Sequence, residues 1–152
     1  MPSDRAYTYI STRLGAAGLR VVGKLNVPIY RATRGRLFGR LDRAPILLLT
    51  TTGRRSGQER TAPVVFLADG ERVIVIGSNA GNERTPAWAL NLLANPDAQV
   101  QVRGTRRRVR ARVAAGAERT ELWQRVNEMY SGFEDYRERT DRDISVFVLD
   151  PA

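Results

Sequence analysis

The sequence predicts a single β-barrel domain of α+β character. Three observations carry this: short apolar strands separated by turn residues succeed one another from residue 45 onward, helices of 3.6-residue periodicity are inserted among and after them, and no repeat or long linker divides the 152 residues. A chain of this length buries about two-thirds of the surface its unfolded form exposes, which suits one core. The domain spans 1–152, with a helical segment and connection over 1–43 and the barrel over 44–152.

Residues 4–32 read as an interrupted helix, because Tyr7, Ile10, Leu14, Val21, Val22 and Leu25 recur near one-turn spacing; Pro28 is expected to break it. An Arg/Gly-rich connection over 31–43 leads to Pro45 and a first strand over 46–52, whose continuous apolar run predicts burial on both faces. A turn-rich loop over 53–58 precedes a strand over 61–68, closed by Asp69-Gly70, and a third strand follows over 72–78. Beyond a loop over 79–84, Thr85 as N-cap and Pro86 at the first helical position open a helix through Trp88, Leu90 and Leu93, which Asn95-Pro96 ends.

Strands over 98–103 and 107–115, joined at Gly104-Thr105, form a hairpin with Val100 and Val102 facing Val109, Ala111 and Val113. Leu122, Val126 and Tyr130, with Trp123 alongside, mark an amphipathic helix over 117–130. A short polar helix around 133–139 and a last strand over 144–149 complete about six strands.

Composition restricts the chemistry. With no Cys and no His, thiolate and histidine catalysis and the usual zinc ligand sets are excluded; no metal site is expected, and an enzyme built from the remaining residues imports its reactivity in a cofactor. Twenty-five basic residues against 16 acidic ones give a net charge of +9, which attracts nucleic acid, acidic membrane surface or a phosphorylated coenzyme. All the basic residues except Lys24 are Arg, a bias that a GC-rich genome also produces. No apolar run approaches the roughly 20 residues that span a bilayer, and the first residues lack the pattern of a secretory signal, so cytoplasmic residence is expected.

Four clusters are candidates for function. In the loop over 53–60, two glycines permit a tight turn while Arg54, Arg55, Arg60, Ser56 and Gln58 gather around it, which reads as a phosphate cradle or as a solvated hairpin tip. Gly77, Ser78 and Asn79 at a strand end, followed by Pro86, Trp88, Asn91 and Leu92, suit a flat ring beside a helix N-terminus, or a plain strand-to-helix connection. Tyr130, Phe133 and Tyr136 form an aromatic trio that either lines an apolar acceptor pocket or packs. Arg106, Arg108, Arg110 and Arg112 share one strand face with no aromatic interleaved, as on a solvated surface rather than a base-stacking one.

Taken in order, Leu-Leu-Thr-Thr-Thr-Gly-Arg-Arg-Ser-Gly-Gln ending at Gln58, Arg60, Pro63, Asp69-Gly70, Pro86-Ala-Trp88, Asn91-Leu92, Ala94-Asn-Pro96, Met129-Tyr130 and Tyr136 through Thr140-Asp141-Arg142 form a series. It resembles the deazaflavin-dependent nitroreductase and quinone reductase family of actinobacteria over roughly residues 26 to 150. The resemblance implies a split β-barrel, of the kind that also binds flavin mononucleotide, with an N-terminal helix and with inserted and C-terminal helices. It implies a chain that binds coenzyme F420, a deazaflavin with a phosphate and an oligoglutamate tail, and passes hydride to a quinone.

By that likeness Arg54, Arg55, Ser56, Gln58 and Arg60 hold the phosphate and tail; Pro63, Gly77, Ser78, Asn79, Pro86, Trp88, Asn91 and Leu92 surround the ring; Tyr130, Phe133 and Tyr136 face the acceptor; and Ser78, Tyr130 and Tyr136 are the catalytic set. Family members usually carry a second Tyr where this chain has Phe133 and an aromatic where it has Val65, which implies weak or no reduction of nitroimidazoles. The alternatives are a reductase using flavin mononucleotide, a basic small barrel that binds nucleic acid, and a coenzyme carrier without an acceptor site. For a quinone reductase no nucleic acid partner is expected, and the basic amphipathic N-terminal segment reads first as a helix covering its own barrel and second as a peripheral contact with the inner face of a membrane.

Overall fold

The structure, a computed structural model, describes residues 27–41, 44–77, 85–130 and 144–152. In chain order these form helix α1 over 27–33, β1 (Arg40–Leu41), β2 (Ala44–Thr52), β3 (Glu59–Asp69), β4 (Arg72–Ile76), α2 (Ala87–Ala94), β5 (Asp97–Val102), β6 (Thr105–Val113), α3 (Gly116–Met129) and β7 (Val146–Pro151). The sheet runs β1-β2-β3-β4-β7-β6-β5, every neighbouring pair antiparallel, and β5 returns to β2. Six strands therefore close into a barrel, and β1 extends it as a short flap. Closure removes the open edges that would otherwise offer unpaired N–H and C=O groups.

Alternation along the strands divides the apolar residues between two compartments. Leu47, Leu49, Val64, Phe66, Val73, Val75 and Phe147 point inward, and Ala89 and Leu92 of α2 join them. The intervening Ile74, Ile76, Val146 and Val148 point outward and pack under Leu122, Trp123 and Val126 of α3. Strands covered on both faces cannot alternate with polar residues, which explains the continuous runs in β4 and β7. The same holds for β2, as its sequence predicts: Leu48, opposite in direction to Leu47 and Leu49, is also buried.

Tyr30 fixes α1 to the barrel. Its buried hydroxyl lies 2.9 Å from the Ile46 carbonyl and 3.4 Å from that of Gln101, and it accepts the Arg103 N–H at 2.9 Å, so one phenol joins β2, β5 and the turn that follows β5. Burial pushes its pKa up, opposed by the bond from Arg103. On the other side, the Asp69 carboxylate takes Arg72 across the β3–β4 turn and reaches Arg125 of α3 at 3.2 Å.

Several expected boundaries are corrected. Residues 27–33 are helical with Pro28 in the first described turn, where proline's fixed φ is a helical value and its missing N–H is not needed; the expected break on its N-terminal side lies outside the described residues. The helix runs past Arg31 to residue 33, and β1 occupies part of the expected connection. Pro86, not Thr85, is the N-cap of α2; its extended backbone (φ −61°, ψ 147°) points its carbonyl at the N–H groups of Ala89 and Leu90, and no side-chain cap is needed. The β5–β6 hairpin turns at Arg103-Gly104, with Val102 opposite Thr105, because Arg103 takes a left-handed φ of 55°. Val113, at the open end of β6, is 46% exposed rather than packed in the core. The third strand stops at Ile76 and the last runs over Val146–Pro151. The helix proposed over 4–32 up to residue 26, the loop over 79–84 and the short helix around 133–139 lie outside the described residues.

Two measurements check these contacts. Tyr30→Phe leaves a buried amide and two carbonyls short of a partner and should lower stability by about 1–3 kcal/mol in urea unfolding; no change would remove Tyr30 as the clasp. Hydrogen bonding from Arg72, then from Arg125, holds the Asp69 carboxyl below its ordinary value of 3.8. A carboxyl with a depressed folded pKa stabilises the fold above its unfolded pKa and loses that contribution as pH falls through the folded one. Asp69→Asn should therefore flatten the fall in stability below about pH 4, read from denaturant midpoints across pH.

Candidate functional site

The antiparallel registers bring the ends of β2 and β4 and the starts of β3, β5 and β7 to one mouth of the barrel. Helix α2 closes that mouth. Ala89 and Leu92 fill its apolar interior, and Trp88 meets Phe147 edge to face with ring centroids 5.7 Å apart.

The loop between β2 and β3 is closed by its own backbone. The Gly53 N–H donates to the Gln58 carbonyl at 2.7 Å, the Gly57 N–H to the Gly53 carbonyl at 2.8 Å, and the Gln58 N–H to Ser56 Oγ at 3.2 Å. Gly53 is required by proximity, since a Cβ there would lie 2.5 Å from Ser56 Oγ and 3.1 Å from the Gln58 carbonyl oxygen. Gly57 is required by its φ of 69°. The closed loop leaves Arg54, Arg55, Ser56 and Gln58 exposed, and Arg60 follows on β3 opposite Thr51. Among the described residues no carboxylate pairs with Arg54, Arg55 or Arg60, although Arg72, Arg110, Arg112 and Arg125 all have one.

Asn91 ties this loop to the helix. Its side chain, 3% exposed, accepts the Arg54 N–H on Oδ1 at 3.1 Å and donates from Nδ2 to Thr51 Oγ1 at 3.0 Å. Oriented this way, one amide holds the end of β2, the first loop arginine and α2 in a single arrangement. A buried amide with both ends satisfied costs little, whereas the same group left unpaired is expensive.

The structure gathers some sequence-predicted residues and separates others. Arg54, Arg55, Ser56, Gln58, Arg60, Trp88 and Asn91 all belong to the mouth or the helix across it. Leu92 is part of the apolar interior and Pro86 is the buried cap of α2. Pro63 pairs with Leu48 and lies on the opposite face of β3 from Arg60. At Gly77 a Cβ would make ordinary van der Waals contact with Ala89 (3.5 Å) and Phe147 (3.6 Å), so this strand end lies against the packing under α2. Tyr130 caps the end of α3, its N–H bonded to the Val126 carbonyl, and its ring packs on the outer cluster, as Val65 does. Ser78, Asn79, Phe133 and Tyr136 lie outside the described residues. Thr51 was not singled out by its sequence, yet it stands at an inward position of β2 after Leu47 and Leu49. A hydroxyl where the alternation calls for an apolar residue was the available signal.

A family model described as F420H(2)-dependent quinone reductase matches residues 22–151. The chain belongs to this family. It is 38% identical over 130 residues to an F420H(2)-dependent quinone reductase of Mycobacterium tuberculosis (strain ATCC 25618 / H37Rv), an alignment that covers 83% of this chain and 87% of the relative. Among solved structures it is similar to an F420-H2 dependent reductase, FDR-A, at 34% identity and a TM-score of 0.65, covering 70% of this chain and 94% of the other. A second structure, described as a domain-swapped dimer, is 30% identical with a TM-score of 0.67 over 84% of this chain and 95% of the other. Membership in a family of split-barrel oxidoreductases agrees with the closed six-strand barrel and its helices.

Removing the Asn91 amide tests the loop's support. Asn91→Leu should cost about 1–3 kcal/mol by leaving the Arg54 N–H and the Thr51 hydroxyl unpaired. Amide exchange at Arg54 should quicken by about ten-fold or more relative to the β4 core. Unaltered exchange at Arg54 would mean that the loop holds its shape unaided.

Proposed function

We propose that this chain binds reduced coenzyme F420 at the mouth closed by α2 and reduces a quinone-like, menaquinone-type acceptor there. One observation carries the reading: Arg54, Arg55 and Arg60 stand together at the mouth without a carboxylate partner among the described residues, on a loop braced from beneath by Asn91. The donor set fits the coenzyme. Guanidinium groups bind phosphate and carboxylate oxygens two at a time, and a phosphate followed by a polyglutamate tail offers several such groups in series. Flavin mononucleotide, the alternative, presents a single phosphate and leaves the arginines in excess.

When bound, the coenzyme supplies the hydride. The protein's share is placement: Arg54, Arg55, Arg60, Ser56 and Gln58 hold the anionic end, and α2 with Trp88 closes the barrel interior to water behind the ring. The family resemblance assigns further ring contacts to Ser78 and Asn79 and assigns the acceptor to Tyr130, Phe133 and Tyr136, with the phenols as proton donors; of these, Tyr130 packs its ring on the outer cluster rather than in the barrel interior. No step requires a histidine, a thiolate or a metal.

Three of the four arginines on the β6 face are engaged within the protein, with Arg108 the exception among the described residues, and this does not favour a nucleic acid partner. Arg106 bonds Gln101, Arg110 faces Asp97 at 3.6 Å, and Arg112 is engaged by Glu118 and Asp150. Hydrogen bonding from Arg112, aided by the nearby charge of Arg72, holds the Glu118 carboxyl below its ordinary range. No helix among the described residues is long and apolar enough to cross a membrane. Cytoplasmic residence with peripheral contact at the inner face of the membrane belongs to the same proposal.

Two experiments test it. Arg55→Ala or Arg60→Ala should weaken F420 binding about ten-fold or more in a fluorescence titration, with thermal stability retained; unchanged affinity in both variants would remove the loop from the site. With reduced F420, the wild type should turn over menaquinone analogues well and bicyclic nitroimidazoles poorly. Phe133→Tyr should raise nitro reduction more than quinone reduction, because an added donor helps most where nothing else stabilises developing charge. Robust nitro reduction by the wild type without quinone turnover would overturn the acceptor assignment.

A further inference from the structure

At the end of the barrel opposite the mouth, the segment between α1 and β1 carries two exposed apolar side chains, Leu37 at 56% and Phe38 at 44%. Phe38 holds a left-handed φ of 59°, which Asn and Gly adopt readily and an aromatic residue does not. Strain of this kind at an exposed aromatic is retained where the side chain has work at the surface. Around the pair stand Arg34, Arg36 and Arg40, all exposed and without an ion pair among the described residues. Gly104 lies directly against the Arg34 side chain, which brings the turn carrying Arg103 to the same surface. The sequence holds no Asp or Glu over 27–41 or over 98–112. An open cleft of about 490 Å³ lies beside Leu37, lined also by Ala32, Thr33, Arg34 and Arg36.

We propose that this end of the barrel is a docking surface for anionic lipid, with Leu37 and Phe38 entering the interface and Arg34, Arg36 and Arg40 meeting headgroup phosphates. Charge complementarity and the apolar pair together select this occupant. Basic residues are drawn to an anionic leaflet, and apolar side chains gain by leaving water for acyl chains, so the two contributions add on a membrane. A nucleic acid matches the charge but offers an aliphatic Leu37 nothing on which to stack. A second copy of this surface would set arginines against arginines. The inference rests on the peripheral contact proposed above and places it on named residues.

The test uses the full-length protein and sedimentation with phosphatidylcholine vesicles, with and without phosphatidylglycerol. The wild type should bind the anionic vesicles alone, and salt should weaken the binding. Phe38→Asn combined with Leu37→Ser should weaken it about ten-fold or more. The single variant Phe38→Asn should also melt at the same or a higher temperature than the wild type, because Asn relieves the left-handed strain. Arg36→Glu should weaken binding as well and make it less sensitive to salt. All three variants should reduce a water-soluble quinone as the wild type does, since none belongs to the mouth. Wild-type binding that the variants leave intact would overturn the placement while leaving membrane contact itself standing. No binding by the wild type would overturn both. RNA binding lost in Arg36→Glu, with vesicle binding unaffected by Leu37 and Phe38, would make the surface one for nucleic acid and overturn the proposal.

Discussion

Closure of the barrel rests on three residue pairs between β2 and β5, Leu48 with Gln101, Leu49 with Val100 and Thr50 with Gln99. A seam this short is held from its two ends. Beyond one end, the Tyr30 hydroxyl reaches from Ile46 to Gln101 and Arg103; beyond the other, Asn91 grips Thr51. The long β2–β3 ladder, with seven pairs, needs no such help. Because β2 shares both its edges, a disturbance of that strand reaches the apolar interior, the arginine loop and α1 together.

The second constraint is electrostatic. A chain with an excess of nine positive charges repels itself, and its carboxylates are placed where they offset this most: Asp69 and Glu118 each serve two arginines, and Asp97 and Asp150 hold β6. These pairs gather along β6 and beneath α3. They are exposed and individually worth little, and none of them reaches Arg54, Arg55 and Arg60 at the mouth, Arg34, Arg36 and Arg40 at the other end, or Arg108 on the β6 wall. Positive potential therefore persists at those places and is reduced where β6 meets α3.

Alternation and turn chemistry made most of the fold legible. The doubly covered β2, β4 and β7 announce themselves as unbroken apolar runs, and Gly70 marks its turn because its φ of 64° suits glycine. What was hidden consists of contacts between residues far apart in sequence. The bonds from Asn91 to Arg54 and Thr51 span 37 and 40 positions, and that from Arg103 to Tyr30 spans 73, so no local pattern records them. In the site, the arginine loop was visible as glycines flanking arginines, and the order of motifs pointed to the family. The buried amide beneath the loop was visible only as one polar residue in an apolar helix, which does not say what it bonds.

Strand β2 runs nine residues between the two ends, roughly 26 Å at the rise of an extended chain. Residues that far apart with no shared partner contribute additively to stability. Descent with modification can therefore redraw the Leu37–Phe38 end without disturbing the arginine loop at the mouth. The barrel wall acts as insulation between the two, and each end is free to diverge at its own rate.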